Sequence, residues 1–241
     1  MQGTVRSIEE VRRKLLKEMK GGMFSTEKRL PRETVLSEQL GISRTLLRDV
    51  LAGLEREGFI TRKHGVGTII NHHVLDICHR MDIETEFFDI IRQNGYEPSI
   101  GFIRVSEETA DEKTASKLNI LPGDTVVCIC LLCCADGRPV IFCRDMLDKK
   151  LVKTDYREQE HQMIIFSFLR KFCDVNVYMD LTEIHPVPAD CDLAAVLDIP
   201  EGTPLLNMEE TDYDIMGNPV FYSRQYFVDA YIKHTVLRKK I

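Results

Sequence analysis

Arg44, Thr45 and Arg48 follow Ser43 in a stretch whose Leu47, Val50, Leu51 and Leu54 recur at helical spacing. A helix capped by Ser43 turns the three polar residues off that apolar stripe and holds them near its N-terminus. There a helix lying in the major groove offers side chains to base edges and backbone amides to phosphate. Downstream, Phe59 to Ile70 alternates in strand fashion around Gly65-Val66-Gly67. That is the form of a hairpin whose tip, with His64, Gly65, Gly67 and Thr68, touches backbone or minor groove. A second chemical group is the thiols Cys128, Cys130, Cys133, Cys134 and Cys143. Strand alternation puts Cys128, Cys130 and Cys134 on one face and Cys133 on the other. One CxxC, Cys130 with Cys133, has no second CxxC or HxxxH to complete a metal site. Packing as small hydrophobes is their expected role, with thiol sensing or metal binding the alternative. No catalytic residue, metal site or cofactor is assigned.

The elements that position these residues are legible in turn. Ser7-Ile8-Glu9-Glu10 is a capping box, and the helix after it stops at Gly21-Gly22. Leu30-Pro31 opens a second helix, with Pro31 in its first turn and Val35, Leu36 and Leu40 on its apolar side. Gly41 supplies the turn into the helix of Arg44, which ends at Gly58.

The chain has 241 residues and a net charge of -6. Residues 1–72 carry 14 Lys and Arg against 9 Asp and Glu, whereas residues 73–241 carry 18 against 29. A basic segment joined to an acidic one fits a protein of which only one end meets phosphate. No apolar run approaches the roughly 18 to 20 residues that span a bilayer, and the first 20 residues are polar and basic. A cytoplasmic protein with reduced thiols is expected.

The acidic part repeats itself. Ala110-Asp111, Leu118, Ile120, Gly123, Gly137, Pro139, Val140 and Arg144 have counterparts in Ala189-Asp190, Leu197, Ile199, Gly202, Gly217, Pro219, Val220 and Arg224, at a spacing of 79 and then 80 residues. Each copy reads as a short helix followed by a hairpin, so an α+β layout with one pseudo-symmetric antiparallel sheet is expected. Thr109 to Glu112 has the form of another capping box. A short helix with Phe87, Phe88 and Ile91 precedes the first copy. Between the copies, Ile164 to Phe172 reads as a helix and Val175 to Ile184 as a strand. The expected division is 1–72, a linker 73–82, and 83–241.

Residues 8 to 70 resemble the GntR family of bacterial regulators. The likeness is carried by Leu30-Pro31-Arg32-Glu33, Ser43-Arg44 with Arg48, Glu57-Gly58-Phe59-Ile60 and Gly65-Val66-Gly67-Thr68. It implies a winged helix-turn-helix that binds operator DNA. Arg32 stands where Ser is usual and Thr34 where Arg is usual, so Arg32 is added to the DNA-contacting set, either replacing the missing guanidinium or shifting the base preference. Residues 80 to 240 resemble the UTRA domain of the HutC branch, similar in fold to chorismate lyase, through the two Gly-X-Pro-Val hairpins, Leu-X-Ile-X-X-Gly, and Asn94-Gly95 with Pro98. This implies a homodimeric repressor on a palindromic operator, controlled by a small effector.

Relatives that bind sugar phosphates place arginines, glutamates, a serine and a tyrosine where this chain has Leu131, Cys133, Cys143, Ile164, Phe221 and Phe227. None of these can pair an anion in a low-dielectric pocket. Asp145, Ser223 and Gln225 are the polar groups left on the same faces, so the expected effector is less anionic than a sugar phosphate, or the pocket has lost its ligand. If an anion does bind, Ser99, Arg104 or backbone amides must supply the donors. An enzyme of chorismate-lyase type, or a mere dimerisation scaffold, is the competing reading; the first needs cationic groups that these faces lack.

Overall fold

The computed structural model describes residues 7–83, 85–156 and 163–239. They divide into two compact units, Met1–Asp82 with Thr235–Ile241, and Ile83–His234. No helix among the described residues is long and apolar enough to cross a membrane.

In the first unit, α1 (Ile8–Gly21) starts on the reciprocal capping box of Ser7 and Glu10. It buries Val11, Leu15 and Met19. Helix α2 (Glu33–Leu40) starts later than its Leu-Pro signal suggests: Pro31 lies outside it and Arg32 holds the N-cap position. Proline's fixed φ and missing N–H suit the approach to a helix as well as its first turn. Gly41, at φ +65°, ends α2 in the left-handed conformation. Helix α3 (Arg44–Arg56) is capped by Ser43, whose Oγ accepts from the Leu46 amide at 3.1 Å. Its buried Leu47, Val50, Leu51 and Leu54 join Leu15, Met19, Leu36, Ile60 and Ile70 in one core. Strands β1 (Ile60–Lys63) and β2 (Gly67–Ile70) pair antiparallel. Residues 28–30 run along β2, the Leu30 amide donating to Thr68 O at 2.9 Å and the Ile70 amide to Lys28 O at 3.1 Å.

The segment 73–82 is folded where a linker is expected. Helix α4 (His72–Leu75) runs into it, Val74, Leu75 and Arg80 are buried, and Arg80 pairs with Thr235 in a parallel bridge. One helical turn is too short to display a period, so only burial reveals it. The C-terminal residues 235–239 likewise belong to the first unit.

The second unit is a six-stranded antiparallel sheet made of β3 (Pro98–Thr109), β4 (Thr125–Ala135), β5 (Arg138–Asp148), β6 (Met179–Pro188), β7 (Pro204–Tyr213) and β8 (Pro219–Val228). Its order is β3-β4-β5-β8-β7-β6. The two repeat copies supply β4-β5 and β7-β8, and they meet at the centre where β5 pairs with β8. Their helices, α6 (Glu112–Leu118) and α8 (Cys191–Leu197), pack on the sheet face of Cys128, Met146 and Tyr222 and of Leu132, Phe142 and Val228. On the other face, Phe87 of α5 (Phe87–Gln93) meets Phe227 edge-on, and Phe166 of α7 (Ile165–Phe168) meets Phe221 in the same way.

Three expectations shift. Asp111, rather than Thr109, caps α6: its side chain accepts from the Thr114 amide at 2.7 Å, matching Asp190 on α8, while Thr109 ends β3. The inter-copy helix keeps its expected extent but changes type: α7 passes directly into a π-helical stretch, Leu169–Cys173, which Asp174 stops at φ 54°. Strand β6 begins at Met179 and runs through Pro186 to Pro188, prolines that an edge strand tolerates because its outer side needs no donors.

Gly58 sits at φ +86°, and a Cβ there would lie 2.6 Å from Leu237 Cδ2, whereas Gly65, at φ +75°, has open space around it. Gly58→Ala therefore combines left-handed strain of about 1 to 2 kcal/mol with a clash, while Gly65→Ala carries the strain alone. Denaturant unfolding should place Gly58→Ala below Gly65→Ala; equal midpoints would mean that the C-terminal residues do not pack against Gly58.

Candidate nucleic-acid interface and buried polar face

The first unit presents an exposed arc of cations. Arg44, Thr45 and Arg48 are exposed at the start of α3, and Arg32 is exposed just before α2. At the hairpin tip His64, Gly65 and Gly67 are exposed and Thr68 is half-buried; both glycines adopt positive φ, which lets the turn close without Cβ strain. Glu33 was not singled out in the sequence for this role, yet its Oε2 accepts from Arg48 Nε at 2.8 Å and holds the guanidinium. That hydrogen bond also raises the Arg48 pKa. Arg62 is fixed in the same manner by Glu55, at 2.7 Å, and Arg29 donates to Val66 O across the hairpin at 3.0 Å. Ion pairs this exposed add little stability, so their effect is to restrict where the guanidinium groups point.

In the second unit, the register puts Leu131, Cys133, Cys143, Asp145, Phe221, Ser223, Gln225 and Phe227 on one sheet face, all of them buried. Ile164 stands at the N-cap position of α7. Ser99 and Arg104 do not join the set. They lie opposite Cys134 and Cys130 on the other face, both exposed, and Arg104 rests its guanidinium on the Phe102 ring at 4.7 Å. An extra residue, Gly101, between Ile100 and Phe102 shifts the β3 register, which simple alternation from the sequence does not anticipate.

Asp145 is the centre of the buried face. Its Oδ1 accepts from Ser223 Oγ at 2.7 Å and from Cys143 Sγ at 2.9 Å. Burial pushes its pKa up to about 6, the two donors only partly offsetting it. Burial likewise raises the Cys133 thiol to about 12 and pushes the Cys143 thiol well above its usual range. Gln225 Nε2 donates to Glu210 at 3.3 Å, and the Thr182 hydroxyl lies within hydrogen-bonding distance of the same carboxylate, at 3.0 Å, and of Asp180, at 3.1 Å, with one proton to give to either. A polar track thus crosses from β5 to the edge strand β6. It leads to a cleft of about 250 Å³ lined by Phe166, Leu169, Arg170, Tyr178, Asp180 and Asp212 among others. Glu210 and Asp212 escaped the sequence reading although the repeat spacing maps Leu131 and Cys133 onto them.

On the helix-covered face, Arg144 pairs with Glu108 at 2.7 Å and Arg224 with Asp111 at 3.3 Å. Glu183, His185 and Glu209 bring ligand-type atoms within 4.8 Å of one another. Lys117 and Lys113, at 2.8 and 2.6 Å, already occupy the two carboxylates.

Two family models match this chain: bacterial regulatory proteins of the gntR family over residues 7–70, and the UTRA domain over residues 93–233. The HTH-type transcriptional repressor NagR of Bacillus subtilis is 23% identical over 204 residues, covering 85% of this chain and 83% of that protein. The fatty acid metabolism regulator protein of Vibrio vulnificus is 39% identical over 70 residues, 26% of this chain and 25% of its own length. Among solved structures, the possible transcriptional regulator YydK from Bacillus subtilis has a TM-score of 0.73 at 15% identity, covering 96% of this chain and 99% of its own. PhnF from Mycobacterium smegmatis has a TM-score of 0.58 at 19% identity, with 95% and 99% covered. These two likenesses concern the fold.

Asp145 gives a pH signature. Its proton is held more tightly in the folded state, near pH 6, than at the usual 3.8. Its contribution to stability is full below about pH 4 and is lost as pH rises through about 6, a swing of about 3 kcal/mol. Urea unfolding between those limits should therefore show the wild type losing stability relative to Asp145→Asn as pH rises. Parallel curves would contradict a buried carboxyl at this position.

Proposed function

The chain belongs to the GntR family of bacterial regulatory proteins and carries a UTRA domain, and from this premise we propose that it is a cytoplasmic transcriptional repressor whose operator affinity is set by a small effector held in the second unit. The observation that carries the DNA half is the arrangement at α3. A capped helix start leaves Arg44 and Thr45 exposed and fixes Arg48 on Glu33 at 2.8 Å. Arg44, Thr45, Arg48 and Arg32 read base edges; Ser43 and the α3 amides meet phosphate, and His64, Gly65, Gly67 and Thr68 follow the backbone at the wing. One such helix reads only a half-site, so the protein acts as a homodimer on a palindrome. Repression is favoured over activation by the likeness to NagR, a transcriptional repressor.

The effector face is the one carrying Leu131, Cys133, Cys143, Asp145, Phe221, Ser223, Gln225 and Phe227. Its titratable centre is a carboxyl, Asp145, bonded to a hydroxyl and a thiol. An anionic ligand there meets acceptors where it needs donors. Binding free energy comes from apolar burial at about 25 cal/mol per Å² before ordering costs, with the polar groups orienting the ligand.

Arg44→Ala and Arg48→Ala should each weaken operator binding by about 1 to 3 kcal/mol with folding intact, and affinity should fall steeply with salt as counterions are released. Unchanged affinity in both variants, by fluorescence anisotropy on genomic upstream fragments, would overturn the α3 assignment. Calorimetric titration should give weak or no binding of a hexosamine phosphate and stronger binding of an apolar metabolite. Micromolar phosphate-ester binding, lost in Ser223→Ala or Gln225→Ala, would overturn the effector class.

A further inference from the structure

Cys130 differs from the other thiols of the first hairpin. Cys128 and Cys130 project from the same face of β4 with their sulfurs 3.8 Å apart. Cys128 is fully buried among Ala115, Leu118, Met146 and Tyr222, whereas Cys130 is half-buried, at the margin of both helix-covered clusters. Arg144 lies directly across from Cys130 on β5, its Nη2 3.8 Å from Cys128 Sγ and 2.7 Å from Glu108. Its Nε is buried with no hydrogen-bond partner among the described residues. The hydrogen bond shared with Cys128, helped by the Arg144 charge, draws the Cys130 pKa down, while the same contact and full burial push that of Cys128 up. Burial raises Cys133, Cys134 and Cys143 instead. One accessible thiol favoured as thiolate, beside one sequestered thiol within reach, is the arrangement of a peroxide-reactive cysteine and its resolving partner.

We propose that Cys130 and Cys128 are a reactive and resolving thiol pair through which hydroperoxides modify this protein. The Cys130 thiolate attacks the distal peroxide oxygen. The O–O bond breaks, the alkoxide or hydroxide leaves and takes up a proton, and Cys130 becomes a sulfenic acid. The Cys128 sulfur then attacks the Cys130 sulfur, water leaves, and a Cys128–Cys130 disulfide closes; the peroxide is the two-electron oxidant. Same-face neighbours on a strand lie about 6.7 Å apart at Cα, near the upper limit of about 6.8 Å for a disulfide. The closed form is therefore strained and easily reduced by cellular thiols, which makes the modification reversible. Its location under α6, in the sheet that carries the proposed effector face, gives it a direct route to that unit's packing.

The test treats the full chain with hydrogen peroxide and follows the tryptic peptide 118–144, which trypsin leaves uncut at Arg138-Pro139, by mass spectrometry with fragmentation. The wild type should lose two hydrogens, assigned to Cys128 and Cys130, and regain them with glutathione. Cys128→Ser should stop at a sulfenic acid on Cys130 that dimedone traps, Cys130→Ser should lose the reaction, and Cys133→Ser should behave as wild type. Circular dichroism melting establishes that each variant is folded. Retention of the two-hydrogen loss in Cys130→Ser would overturn the proposal, as would a pair that stays reduced at peroxide concentrations that oxidise free cysteine. Neither outcome bears on operator binding by α3.

Discussion

The pairing of β5 with β8 is the constraint on which the second unit depends. Cys143 lies opposite Gln225, Arg144 opposite Arg224 and Asp145 opposite Ser223, and through these pairs two copies of a helix-hairpin unit become one sheet. A slip of one residue would turn every side chain to the other face. On β5 it would carry Asp145, or on β8 Ser223 and Phe227, to the helix-covered face and drive Arg144 or Arg224 into the vacated place. Two arginines directly opposed are unfavourable in themselves. Each is offset by its own acid, Glu108 for Arg144 and Asp111 for Arg224.

The same register decides what each face can do. Apart from its polar track, the face of Asp145 is closed by aromatic contacts, Phe87 on Phe227 and Phe166 on Phe221. Burial raises the pKa of the carboxyl sealed there to about 6, so at neutral pH it is an ionised acceptor, which suits the proposed preference for ligands that donate hydrogen bonds over ligands that bring negative charge. The opposite face handles charge differently, pairing lysines and arginines with acids at its rim. In the first unit, cations are likewise aimed by acids: Glu33 on Arg48 and Glu55 on Arg62 leave the arginines exposed but restrict their direction. A guanidinium held in one orientation loses less entropy when it meets a base or a phosphate.

Much of this was legible in the sequence because it depends on local signals. Ser7 and Ser43 cap the helices they precede, the stripe of Leu47, Val50, Leu51 and Leu54 is buried, and the repeat spacing predicts two hairpins. The misreadings arise where local signals compete or where contacts are distant in sequence. Thr109 and Asp111 both suit a cap, and the β3 strand running through Thr109 settles it for Asp111. Pairing with Cys130 puts Arg104 on the helix-covered face, and the bulge at Gly101 turns Ser99, beyond it, to that same face opposite Cys134, although simple alternation along β3 would separate the two. Within residues 73–82, Arg80 pairs with Thr235, a partner far along the chain that no periodicity reveals. Glu210 and Asp212 needed only the repeat spacing applied to β7 as it was to β8.

The β5–β8 register brings Asp145 and Ser223 into contact at the heart of one sheet face. A double-mutant cycle on folding free energy, with Asp145→Asn, Ser223→Ala and the double variant at neutral pH, measures that contact directly. Side chains bonded at 2.7 Å in a buried site should couple by about 1 to 2 kcal/mol. Strict additivity would place the two residues apart and contradict the register on which the rest of the account is built.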